Sequence, residues 1–81
     1  MLNELAKGGS KVTGLKQTRR AILDGRADSV YIAEDAEMRL RLELSQLCHE
    51  HDVPVFNAGS MRELGHACGI KIGASSAAVL K

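Results

Sequence analysis

The chain has no tryptophan, and Tyr31 and Phe56 are its only aromatic residues. With so few rings, a core must be assembled from Leu, Val, Ile, Ala and Met. In 81 residues that means a single domain with one modest core and a small stability margin. Apolar runs never exceed a few residues, far short of the ~20 that a membrane-spanning helix needs. The opening Met1-Leu2-Asn3-Glu4 lacks the basic stretch and long apolar segment of a secretory signal. Cysteine is also scarce. Cys48 and Cys68, with no secretion signal, point to a reducing, cytoplasmic setting and no disulfide. No internal repeat or low-complexity tract is present, and an apolar content of 44% argues for a folded chain rather than a disordered one.

The net charge of +1 conceals an uneven distribution. Residues 1–26 hold Lys7, Lys11, Lys16, Arg19, Arg20 and Arg26 against Glu4 and Asp24, a local charge of +4. Residues 27–81 carry five basic and eight acidic residues, or −3. Such asymmetry suits a protein with one electropositive face, although an ordinary solvated surface would give the same tally.

Hydrophobic spacing divides the chain into alternating elements. Leu2, Leu5 and Ala6 share one side of a short N-terminal helix, and Gly8-Gly9 forms a flexible point after it. Lys11-Val12-Thr13 reads as a short strand. Gly14 opens a helix running to about Asp24, with Leu15, Thr18, Ala21, Ile22 and Leu23 turned inward and Gly25 as its stop. Ser29-Val30-Tyr31-Ile32-Ala33 has the composition of a strand buried on both faces. Asp35 is placed to cap the following helix. In that helix Ala36, Leu40, Leu44, Leu47 and Cys48 form one stripe, widened by Met38 and Leu42. Val53-Pro54-Val55-Phe56 is a third strand, in which Pro54 belongs near the start or at an edge because it has no N–H to donate. Ser60-Met61-Arg62-Glu63 has the pattern of a capping box, opening a helix that turns Met61, Leu64, Gly65 and Cys68 inward and ends at Gly69. After Gly73-Ala74-Ser75-Ser76, Ala77-Ala78-Val79-Leu80 makes a last strand. Strand–helix alternation of this kind predicts a three-layer α/β/α sandwich on a small, mixed four-stranded sheet.

Three groups of residues could carry chemistry. Lys16, Gln17 and Arg20 fall on one exposed side of the first two turns of the 14–25 helix, opposite Thr18 and Ile22. A helix N-terminus offers free N–H groups and a positive dipole end to phosphate. Lysine and arginine can donate to guanine O6 and N7, while glutamine can both donate and accept at a base edge. The plainer reading is a solvated amphipathic helix. The small residues of the 72–76 loop permit close backbone approach to a ligand, but a tight turn explains them equally well. Cys48, His49, His51, His66 and Cys68 lack the spacing of a zinc motif, and free cysteine is commonly just a small core residue. No nucleophile–base–orienter set emerges, and the glycines form no nucleotide-binding fingerprint, so neither an enzyme nor a cofactor is expected. Glu34, Asp35 and Glu37 read as helix-capping and dipole-complementing acids.

The ordered series Gly14-Leu15-Lys16-Gln17-Thr18-Arg19-Arg20-Ala21-Ile22, Val30-Tyr31-Ile32-Ala33-Glu34-Asp35-Ala36, Leu47-Cys48, Val53-Pro54-Val55, Glu63-Leu64-Gly65, Ala67-Cys68-Gly69 and Gly73-Ala74-Ser75-Ser76 resembles the kink-turn-binding ribosomal proteins, the L7Ae and L30e group. The resemblance covers essentially all of residues 1–81, and the Lys-Gln-Thr form is similar to the short bacterial members. It implies a non-catalytic domain, ribosomal or ribosome-associated, whose partner is structured RNA containing a kink-turn; nothing in the sequence demands more than a monomer. Such a motif is a bulge flanked by tandem sheared G·A pairs that bends the duplex sharply and opens a groove otherwise too narrow to read. Position by position, Gly14, Lys16, Gln17 and Arg20 would contact the G·A pairs, and Ile72, Gly73, Ala74 and Ser75 would cover bases splayed from the bulge. Glu37 matches a position that meets a flipped-out base in some members. Ile72 and Met61 stand where some members carry basic residues. The alternative is an interaction or assembly module of the same fold that does not bind specific RNA.

Overall fold

The computed structural model describes residues 10–81. The helix expected around Leu2, Leu5 and Ala6 and the Gly8-Gly9 point lie outside them. The described elements are β1 (Lys11–Thr13), α1 (Leu15–Leu23), β2 (Ala27–Ile32), α2 (Met38–Glu50), β3 (Val55–Asn57), α3 (Met61–Ala67) and β4 (Ser76–Leu80). They follow the order read from the hydrophobic spacing, with boundaries moved by one to three residues.

Alternation along the two inner strands creates the layers. The sheet order is β1-β4-β2-β3, which places β2 and β4 inside. Tyr31 and Ala77 face one side and join Leu64 of α3 in a core cluster with Ala33, Ala36, Ala58 and Ala74. Val30, Ile32 and Ala78 face the other side, against Ala21 and Ile22 of α1 and Leu44 and Cys48 of α2. This is the expected α/β/α sandwich, with α3 covering one face and α1 and α2 the other. Alanine at the centre of β4 leaves room for the helices to approach closely, as dense interior packing requires. Tyr31 and Phe56, the two aromatic residues, lie together with ring centroids 5.3 Å apart, a contact worth ~1 kcal/mol beyond the area it buries.

The sheet is mixed in a way that gathers strand ends at one edge. β4 runs antiparallel to both β1 and β2, while β2 and β3 are parallel. Hence β1, β2 and β3 all end at the edge where β4 begins. Thr13 pairs with Ala77, and Ile32 pairs with both Ser76 and Asn57. Each of the three parallel strands is followed by a helix, so the N-termini of α1, α2 and α3 gather at that same edge.

Several expectations need correction. Leu23 is 54% exposed, because α1 ends there and the last turn has left the sheet. Met38 and Leu42 are also exposed, on the outer side of α2, so they add to its surface and not to its core stripe. Ala36 is buried but precedes the helix, which starts at Met38 with Glu37 as N-cap. Asp35 does not cap α2. Its Oδ1 instead accepts from the N–H of Met61, 26 residues away, at 2.7 Å. The expectation for Pro54 holds: it falls just before β3, an edge strand, and its carbonyl accepts from Val30 N–H at 2.9 Å.

Candidate nucleic-acid interface

The start of α1 is set by Gly14. Its φ of +91° lies where a side chain would be strained, so glycine suits the position. The Gly14 N–H donates to the Ser76 carbonyl at 2.8 Å, and its carbonyl accepts from Thr18 N–H at 3.0 Å. Beneath it, the buried Ser76 hydroxyl donates to Thr18 Oγ1 at 3.3 Å. These bonds fasten the first turn of α1 to the first residue of β4.

The N-terminus fastened in this way is open. No side chain caps it, and no acidic residue lies in its first turn. The N–H groups of Leu15, Lys16 and Gln17 therefore lack intrahelical acceptors, and the positive end of the helix dipole is uncompensated. Lys16, Gln17 and Arg20 are exposed while Thr18, Ala21 and Ile22 are buried, as the helical period predicts. Arg20 is held only loosely, with Nε 3.9 Å from Asp24, which also lies 3.5 Å from Arg26. Arg19, by contrast, is committed to the fold. Its Nε bonds Glu43 of α2 at 2.5 Å, and that bond raises the guanidinium pKa above its ordinary value. The basic tally of the N-terminal segment therefore overstates the charge free to meet a ligand.

The loop before β4 lies next to this helix end because Ser76 closes it. It is anchored on both sides. Ala33 N–H donates to the Ser75 carbonyl, and Ala74 N–H to the Met61 carbonyl, each at 2.9 Å. The Ile72 carbonyl rests on Gly65, where an added Cβ would stand 2.1 Å from it. Gly65 is therefore glycine because of this close approach, a role that only the folded contact reveals. Within the loop, Ala74 is buried and acts as an anchor, Ser75 is partly buried and Gly73 is exposed. Ile72 is 75% exposed, an apolar side chain presented to solvent. Glu37 is exposed at the N-cap of α2, at the end of the turn that Ala33 ties to Ser75.

The N-terminus of α3 shares the edge but is closed. Ser60 Oγ accepts from Glu63 N–H at 3.0 Å, and Glu63 Oε1 accepts from Ser60 N–H at 3.2 Å, completing the expected capping box. Asp35 takes the Met61 N–H. Asn57 Oδ1 accepts from Gly59 N–H at 2.9 Å, while its Nδ2 donates to Glu34 at 2.8 Å. The acids after β2 are thus engaged with the β3–α3 turn, a pairing that no local pattern displays.

The cysteines and histidines form no centre. Cys48 is fully buried, and burial pushes its thiol up to about 11, so it is neutral at ordinary pH. Cys68, packed against the opposite core cluster, is also shifted up by burial, partly offset by Lys11. His49, His51 and His66 are exposed. Among the described residues, no three His, Cys, Asp or Glu side chains are grouped to hold a metal ion. Among the same residues, no helix is long and apolar enough to cross a membrane.

With this geometry in view, the comparisons with known proteins are decisive for the family. Residues 1–81 match the Ribosomal protein L7Ae/L30e/S12e/Gadd45 family over their whole length. The chain belongs to this family. An RNA-binding protein of Geobacillus kaustophilus is 38% identical over 78 residues, covering 96% of this chain and 95% of its own. RNA-binding protein YbxF of Geobacillus stearothermophilus matches with the same identity and coverage. Among solved structures, the 15.5kD RNA binding protein of Giardia lamblia superposes with a TM-score of 0.87 at 27% identity, covering 99% of this chain and 68% of its own. The short relatives have nearly the length of this chain, which agrees with the bacterial-type pattern read at Lys16-Gln17-Thr18.

Proposed function

We propose that this L7Ae-family chain is a non-catalytic, monomeric RNA-binding protein that recognises kink-turns, in a ribosomal or ribosome-associated, cytoplasmic setting. The observation that carries this reading is the junction at Ser76. Through Gly14 N–H and Thr18 Oγ1, it ties the open, basic end of α1 to the residue that closes the 72–75 loop. The names of the relatives support RNA as the partner.

The chemistry follows from the geometry. The unpaired N–H groups at the start of α1, with Lys16 and Arg20, attract and neutralise phosphate. Lys16 and Gln17 supply donors for guanine O6 and N7 of the sheared G·A pairs, and Arg20 reaches a base edge or phosphate. At Gly14 and Gly73 no side chain obstructs the approach of RNA. Ile72 offers an apolar face to bases splayed from the bulge, Ser75 offers a hydroxyl, and Glu37 offers an acceptor to a flipped-out base. Binding selects the bent RNA conformer because only there do the groove and the splayed bases meet both parts of the surface at once.

Titration with a kink-turn RNA, and with a copy whose G·A pairs are converted to Watson–Crick pairs, tests the proposal. Tight binding to the first and weak, strongly salt-dependent binding to the second is expected. Equal affinity for both overturns it.

A further inference from the structure

We propose that Asp35 is a positioning residue for the RNA-binding loop, acting through the peptide unit of Met61 without contacting RNA. The inference rests on the reading just given for the 72–75 loop. It starts from Met61, the first residue of α3, whose N–H has no intrahelical acceptor. The capping box already employs Ser60 and Glu63 on each other, so the acceptor for Met61 must come from elsewhere. Asp35 Oδ1 supplies it at 2.7 Å.

What makes this contact more than a cap is the other side of the same residue. The Met61 carbonyl accepts from Ala74 N–H at 2.9 Å, and an added Cβ on Gly73 would stand 3.3 Å from Met61 Cβ. Met61 is thus held by Asp35 on one side and holds the loop on the other. The circuit closes, because Ala33, two residues before Asp35, donates its N–H to the Ser75 carbonyl at 2.9 Å. Three hydrogen bonds (Asp35 to Met61, Met61 to Ala74, Ser75 to Ala33) form a ring that sets the loop against the turn. Removing the carboxylate opens the ring at its one charge-assisted member, the kind of hydrogen bond that contributes most.

The proposal has a sign that separates it from electrostatics. Asp35 is an exposed anion at the edge proposed to meet phosphate, so through charge alone its removal would tighten RNA binding. As a positioning residue, its removal weakens binding. The experiment compares Asp35→Ala and Asp35→Asn with the unaltered protein, reading amide exchange at Ala74 and Val30 in the free protein and affinity for the kink-turn RNA. For Asp35→Ala we expect Ala74 to exchange about tenfold faster while Val30 in the inner strand is unchanged, and binding to weaken about fivefold, the loss of roughly one hydrogen bond. Asn keeps an acceptor and drops the charge, so Asp35→Asn restores the Ala74 protection and binds at least as tightly as the unaltered protein. Asp35→Ser, too short to reach Met61, carries the same expectations as the alanine variant should that one fail to fold.

Ala74 and Val30 accelerating together, or Asp35→Ala binding as tightly as the unaltered protein, would overturn the positioning role. If the unaltered protein fails to distinguish the two RNAs, the functional reading falls. The Ala74 exchange still reports whether Asp35 holds the loop.

Discussion

The N-termini of α1 and α3 sit at the same edge of one sheet, each following a parallel strand, and they have been finished in opposite ways. At α3 the free donors are met by Ser60, Glu63 and Asp35, and an acid stands in the first turn. At α1 nothing caps the end, no acid lies in the first turn, and the exposed side chains are Lys16, Gln17 and Arg20. A closed end stabilises the fold; an open one leaves stabilisation unrealised and its donors available. The cost of an uncapped end is ~1 kcal/mol, a sizeable share of the margin of so small a domain. On the proposed function, the difference makes α3 the anchor for the loop and α1, whose open end also carries Lys16, Gln17 and Arg20, the part that meets RNA.

Variants can break or sharpen this contrast. The largest effect is expected for Lys16→Ala combined with Arg20→Ala, which should weaken kink-turn binding about a hundredfold. It should also flatten the salt dependence, while the urea midpoint shifts by no more than ~0.5 kcal/mol of stability. A large stability loss would mean that these side chains serve the fold instead. Next is Gly65→Ala, whose Cβ would stand 2.1 Å from the Ile72 carbonyl. It should cost ~2 kcal/mol by urea denaturation and displace the loop, so that RNA affinity falls although residue 65 is buried. Ser60→Ala removes half of the α3 capping box and should cost ~1 kcal/mol, with the slope of RNA affinity against salt unchanged. The smallest effect on stability has the opposite sign. Lys16→Glu places an acid in the bare first turn of α1 and should stabilise the protein by ~0.5 kcal/mol, while weakening RNA binding. Loss of both stability and binding would refute the view that the α1 end is left open for a ligand.

Local signals in the sequence were legible to the extent that their physics is local. The capping box at Ser60 and Glu63 is completed within one helical turn, and the reading and the structure agree. The exposed set Lys16, Gln17 and Arg20 follows from the period of a single helix. The double-sided burial of Val30, Tyr31 and Ile32 follows from an apolar run with no alternation. The contacts that were not legible join distant segments. Asp35 had the pattern of a cap for its own helix, but the turn delivers it to Met61. Arg19 looked like part of a free basic face, yet it pairs with Glu43. Leu23 fits the inward period, but α1 ends before the sheet can cover it. For the site, the sequence marked both halves, and the resemblance to the L7Ae group implied that they belong together. Their union at Ser76 depends on the antiparallel pairing of β1 with β4, which residue patterns do not specify.

The most direct test of the account is a backbone amide chemical-shift titration of the free protein with a kink-turn RNA. It predicts that the amides of Leu15, Lys16 and Gln17 and those of Gly73 and Ser75 shift together and saturate at one stoichiometric point, while Arg62 and Glu63 at the closed end of α3 shift far less. Shifts concentrated on α3 or on the outer side of α2, with the start of α1 unmoved, would contradict it.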